Sequence, residues 1–166
     1  MTLAELNRLP QDEFIAAIGW VFENSPWVAE RVWKWRPFDS LDQLSNGMNH
    51  AVEEASAAEK VALLRAHPDL GTRAKVSPAS TAEQAGAGLD QLTFAEYEEL
   101  SDLNRRYREK FGFPFLYAVK GSGKSAILES LRTRLDSAPE AEFETALCHV
   151  HRIARFRLRG IIEEKV

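Results

Sequence analysis

The stretch PEAEFETALCHVHRIARFRLRGIIE, residues 139–163, decides the fold class. Phe143, Leu147, Val150, Ile153, Ala154 and Leu158 fall on one side at helical spacing, which predicts one helix from near Pro139 to about Glu163. The same periodicity continues toward the N-terminus. Ser125 to Leu135 reads as a helix, and Thr93 to Tyr107 as a long amphipathic one. AAEKVALLRAH is a further helix that ends near His67, because Pro68 disfavours the helical region for the residue before it. Ser40 caps another, with Gln43 three residues on. Ser25 is the expected N-cap of a helix with Pro26 in its first turn and Trp27, Val28, Val32 and Trp35 facing inward. Phe14, Ile15, Ile18, Val21 and Phe22 form one helical stripe, and Leu3, Leu6 and Leu9 form a short opening helix that Pro10 ends. Residues 72–80 read as irregular, and the only strand-like run is FPFLYAV at 113–119. The expectation is an all-α, single compact domain over residues 1–166 with about eight helices.

Composition narrows the function classes. The chain has 166 residues, 45% hydrophobic and 28% charged, as in an ordinary globular protein long enough to build a core without staples. Its formal net charge of −4 disfavours a general nucleic-acid or polybasic membrane binder. No apolar run approaches the roughly 20 residues of a membrane span. The acidic start and the EEKV end match no targeting signal, so a cytoplasmic protein is expected. The single cysteine, Cys148, can form no internal disulfide, and thiolates cannot hold a zinc here. His149 and His151, two apart on a helix, point in different directions, so no metal site is expected. Met48 and the tryptophans at 20, 27, 33 and 35 read as core or interface.

Residues 118–125, AVKGSGKS, fit a relaxed phosphate-binding loop in which Ala118 replaces the first glycine. Such a loop needs parallel strands and an acidic residue on one of them to hold magnesium. Only two helices follow Ser125, and no strand–helix alternation precedes it. A Gly/Ser/Lys surface loop accounts for the segment better than nucleotide binding does.

Other polar residues are harder to dismiss. His67, in RAHPDLG, sits where a helix stops, with Pro68 beside it and Asp69 and Gly71 beyond. A stiff backbone and a helix C-terminus suit a proton donor, although a surface or capping histidine has the same signature. In STAEQAGAGL, Ser80 and Glu83 read as a capping box, while Gln84 offers donors and an acceptor suited to ureas and amides. In KFGFPFLYAVKG, Gly112 and Pro114 interrupt an apolar run, which frees backbone groups to face a ligand. Arg157 precedes Leu158 on the stripe side of its helix, where it can face inward and hold an anion.

Together these segments resemble the 2-oxo-4-hydroxy-4-carboxy-5-ureidoimidazoline (OHCU) decarboxylase family. The matching pieces are HPDLG at 67–71, the S-x-x-E-Q-x-x-A-G-L spacing from Ser80 to Leu89, L-N-x-x-Y-x-x-K-F-G-F-P-F from Leu103 to Phe115, I-A-x-x-R-L at 153–158, and RPF at 36–38. They span nearly the whole chain, and GSGKS falls where the family has a variable loop. The resemblance implies an all-helical homodimer that converts OHCU to (S)-allantoin and CO₂ in uric acid breakdown, without metal or organic cofactor. It implies His67 as the catalytic acid. It implies substrate contacts from Pro68, Ser80, Glu83 and Gln84, main-chain contacts from Phe115, Leu116, Tyr117, Ala118 and Val119, and an arginine near the site at Arg157. Thr72 departs from the smaller residue often found there, and Leu116 to Val119 vary in side chain. A non-catalytic helical module with a tryptophan docking face is the remaining alternative.

Overall fold

Capping residues set most of the helix boundaries. The structure, a computed structural model, describes residues 1–72 and 77–163. Among these, the chain forms α1 (Leu3–Arg8), α2 (Gln11–Ile18), α3 (Trp27–Val32), α4 (Leu41–Glu53), α5 (Ala57–Arg65), α6 (Pro78–Gly86), α7 (Phe94–Phe111), α8 (Lys124–Arg134) and α9 (Pro139–Ile161). No strand forms among the described residues; a single bridge pairs Thr2 with Glu163. The all-α expectation holds. None of the described helices is long and apolar enough to cross a membrane. Contacts group the residues into two compact units, Met1–Ala66 with His151–Val166, and His67–Val150.

In the first unit, Thr2 and Ser56 open α1 and α5 with reciprocal capping boxes to Glu5 and Glu59. Ser40 caps α4 by accepting the Gln43 N–H, as expected, while the Gln43 side chain reaches back to Asp39 N–H. Phe14, Ile18, Phe22, Val28, Leu44 and Met48 are buried in the core. The expected stripe to Phe22 is broken: α2 stops at Ile18 and a 3-10 turn spans Gly19–Val21. Gly19 weakens the helix, and the Arg157 guanidinium draws the carbonyls of Trp20 and Val21 toward itself.

Two further expectations fail in this unit. Ser25 does not cap α3; its hydroxyl donates to the Glu23 carbonyl, and Pro26 takes the cap position without a side-chain bond. Trp35, expected to face inward, is 46% exposed, because α3 ends at Val32 and a 3-10 turn spans Trp33–Trp35; Trp20, expected as core or interface, is 45% exposed and so is not core. Trp27 and Trp33 are half-buried. Around the RPF segment, Arg36 donates to the carbonyls of Asn7, Leu9 and Trp33 and lies over the Trp33 ring.

In the second unit, α6 is the helix that residues 72–80 conceal. Its N-cap is Ser77, whose hydroxyl accepts the Ser80 N–H at 3.2 Å, with Pro78 in the first turn. Ser80 is therefore inside the helix, not its cap. The earlier part of the irregular expectation, residues 73–76, lies outside the described residues. Thr93 and Glu96 open α7 with a capping box, and Gly112, left-handed at φ 81°, ends it. The FPFLYAV run is not a strand. Its aromatics pack about Tyr107, which lies 5.9 Å from Phe113 and 5.3 Å from Phe115, centroid to centroid.

Candidate active site

His67 is buried and opens the second unit on the HPDLG loop. Three side chains fix that loop. Gln84 of α6 accepts the Gly71 N–H at 2.8 Å. Asn104 of α7 donates to the Leu70 carbonyl at 3.0 Å. Arg108, one turn further along α7, pairs with Asp69. Gly71 is required for this close approach: it has φ 70°, and a Cβ there would lie 2.5 Å from Leu100 Cδ2. The histidine thus sits on a short segment held at consecutive positions by two helices.

The candidate residues of α6 share one face, because positions 80, 83 and 84 are separated by three and four. Ser80 and Gln84 are buried and Glu83 is half-buried. With its carbonyl oxygen committed to Gly71, Gln84 has its amino group left to donate. The combination of an imidazole, a hydroxyl, a carboxylate and an amide suits a ligand that mixes carboxylate and urea groups. The bond between Gln84 and Gly71 ties the loop that carries His67 and Pro68 to the helix that carries Ser80, Glu83 and Gln84.

The 115–119 segment is anchored on other partners in the same unit. Arg134 of α8 donates to the Leu116 carbonyl at 2.7 Å, and the Ala118 N–H donates to His149 Nδ1 of α9 at 2.9 Å. Arg134 is itself held by Glu142, which is 1% exposed and accepts from Arg134 Nε at 2.7 Å and from the Tyr107 hydroxyl at 2.5 Å. Burial, reinforced by the Glu142 carboxylate, pushes the Tyr107 hydroxyl far above its ordinary range and keeps it a donor. The Arg134 guanidinium also lies over the Phe115 ring, 4.5 Å from its centroid.

Arg157 does face inward, as its place beside Leu158 suggested. It belongs to the first unit, where its Nη1 meets Glu23 Oε2 at 2.9 Å, so the anion it holds there is an internal carboxylate. In the GSGKS segment, Gly121 turns at φ 82° and Lys124 pairs with Glu96 at 2.9 Å, an ion pair that holds the Glu96 carboxyl below its usual range. The lysine that a phosphate loop would aim at a nucleotide is spent on a helix-to-helix contact between α8 and α7.

Sequence reasoning missed Asn104, Arg134, Glu142 and His149. Each carried one readable signal: a polar residue on an apolar helical stripe. Asn104 falls between Leu100 and Tyr107, Arg134 follows Ile127 and Leu131, and Glu142 and His149 flank Ala146 on α9. A polar group in such a place must find a buried partner.

Known proteins resemble this chain along most of its length. A family model described as OHCU decarboxylase matches residues 7–159. The 2-oxo-4-hydroxy-4-carboxy-5-ureidoimidazoline decarboxylase of Haloferax volcanii is 50% identical over 158 residues, 95% of this chain and 94% of that one. The protein of the same name from Halalkalicoccus jeotgali is 46% identical, over 97% of this chain and 92% of its own. Among solved structures, one described as (S)-allantoin synthase superposes with a TM-score of 0.81 at 34% identity, covering 98% of this chain and 54% of that one. The chain therefore spans about half the length of that solved protein. The chain belongs to the OHCU decarboxylase family.

Proposed function

We propose that the protein decarboxylates OHCU to (S)-allantoin, with His67 as the catalytic acid. The observation that carries this is the Gln84–Gly71 hydrogen bond, which ties the loop bearing the buried His67 to the helix bearing Ser80, Glu83 and Gln84. Kinship with decarboxylases at 50% identity over nearly the whole chain supports the substrate.

The chemistry suits a site of this kind. OHCU carries its carboxylate on a carbon that also bears a hydroxyl and adjoins a C=N bond. When the carbon–carboxylate bond breaks, its electron pair forms a double bond to the neighbouring carbon, the C=N pair moves onto nitrogen, which takes a proton, and CO₂ leaves. The resulting enol gives up its hydroxyl proton and becomes the ring carbonyl as the neighbouring carbon takes a proton and becomes the product's stereocentre. The substrate holds its own electron sink, so the side chains named here need only bind, orient and protonate. Glu83 and the Gln84 amino group hold the urea-like groups, and Ser80 and Pro68 line the same face. Main chain from Phe115 to Val119 completes the contacts. His67 delivers the proton to one face, which fixes the S configuration. The unit of function is a homodimer in the cytoplasm, and the reaction needs neither metal nor organic cofactor.

A coupled assay tests this. OHCU is generated from urate with urate oxidase and hydroxyisourate hydrolase, and the protein is added with excess EDTA. Rapid growth of the (S)-allantoin circular dichroism signal is expected. A rate equal to spontaneous decay, from folded protein, overturns the proposal.

A further inference from the structure

We propose that His149 and Arg134 are positioning residues that present the Tyr117 backbone to the substrate. This rests on the proposal that residues 115–119 contact substrate through main chain. The segment has no strand partner, so nothing in a sheet ladder fixes the direction of its N–H and C=O groups. Two side chains do that work. Arg134 takes the Leu116 carbonyl and His149 takes the Ala118 N–H. The Val119 carbonyl is also committed, to the Ser122 N–H at 2.9 Å. Tyr117 lies between the two clamps, so its N–H and C=O take their direction from both.

Both clamps are built to stay in place. Arg134 is charge-balanced by Glu142, and that carboxylate is held in turn by Tyr107. His149 is buried and stacks on the Tyr117 ring, with centroids 5.0 Å apart and planes 25° apart. By accepting at Nδ1, His149 is defined as the neutral imidazole with its proton on Nε2. One side chain thus fixes Tyr117 twice, through its ring and through the next peptide group.

A group that only aligns a binding contact changes KM, whereas a damaged fold lowers the active fraction and so the apparent kcat. The test compares His149→Leu, which removes the acceptor, with His149→Asn, whose Oδ1 stands at the position of Nδ1. Wild type and both variants are assayed with freshly generated OHCU, with folding checked by far-UV circular dichroism. Expected is a KM about tenfold higher in H149L with little change in kcat, and a KM within about threefold of wild type in H149N, the tenfold corresponding to one lost hydrogen bond. A second measurement covers an H149L that does not fold: ¹⁵N NMR of the wild type, with (S)-allantoin as probe. Coupling between Ala118 N–H and His149 Nδ1, with the Tyr117 amide shifting most in the segment on adding probe, supports the assignment. Equal KM values in folded H149L and H149N, or a silent Tyr117 amide, overturns it while leaving the decarboxylase assignment standing. A wild type without turnover overturns both.

Discussion

The side-chain carbonyl of Gln84 accepts the backbone N–H of Gly71 at 2.8 Å, and this bond joins α6 to the loop that carries His67. Gln84 therefore holds the loop in addition to the ligand contact proposed for it. Replacing it with methionine keeps the bulk and removes the acceptor, leaving a part-buried N–H unpaired. A loss of about 1–3 kcal/mol in stability is expected, read by urea unfolding, together with a fall in kcat/KM. Gln84→Glu keeps an acceptor for Gly71 and should retain more stability than the methionine variant.

Gly71 and Gly88 separate two costs. Both have positive φ, 70° and 80°, but a Cβ at Gly71 would meet Leu100 Cδ2 at 2.5 Å and one at Gly88 meets nothing within 4 Å. Gly88→Ala should cost about 1–2 kcal/mol, the left-handed backbone term alone. Gly71→Ala adds the clash, a further 1–3 kcal/mol or about that before Leu100 shifts. Denaturant midpoints of the two variants give the difference directly.

The buried Arg134–Glu142 pair should be costly to halve. Arg134→Met leaves the Glu142 carboxylate, 1% exposed, with only the Tyr107 hydroxyl, and a loss of about 3–5 kcal/mol is expected. Tyr107→Phe removes one hydrogen bond to a charged acceptor and should cost about 1.5–3 kcal/mol. Because these residues share Glu142, the double variant should lose less than the sum, which a double-mutant cycle measures.

His151 gives a pH dependence with a definite sign. It packs edge-on to Phe22, and burial lowers its pKa below the ordinary histidine value, the Glu53 charge opposing this in part. The unfolded chain then binds this proton at higher pH than the folded one. Stability contributed by the neutral ring is present above pH ~6.5 and is lost as pH falls through that value toward the folded pKa. Thermal midpoints at pH 7 and pH 5 should therefore converge in His151→Gln relative to wild type. The lowered carboxyls of Glu59 and Glu96 also lose stability on acidification, but equally in both proteins.

Much of this was legible in the sequence. Helical periodicity places α5, α7, α8 and α9 to within a few residues, and α4, α5 and α7 each open on a serine or threonine cap. Nine α-helices form among the described residues against an expectation of about eight, and α6 opens at Ser77–Pro78, three residues before the cap that Ser80 suggests. Ser25 also looked like a cap, but a hydroxyl that finds the nearer Glu23 carbonyl has nothing left to give a helix. Helical spacing places Trp35 inward with Trp27, Val28 and Val32, but α3 stops at Val32 and the 3-10 turn over Trp33–Trp35 breaks that spacing. His67 and the Ser80–Gln84 face were readable as motifs. Their joint through Gly71, and the anchors Asn104, Arg134, Glu142 and His149, depend on pairs 13 to 35 residues apart, which no local pattern encodes.

The most direct test of the central claim is the turnover of OHCU by His67→Asn. Asparagine keeps a polar group of similar size on the same loop but cannot deliver an imidazole proton. With far-UV circular dichroism matching wild type, the rate of (S)-allantoin formation should fall by about 10²–10⁴-fold. A folded His67→Asn protein that turns over OHCU at close to the wild-type rate would contradict the account.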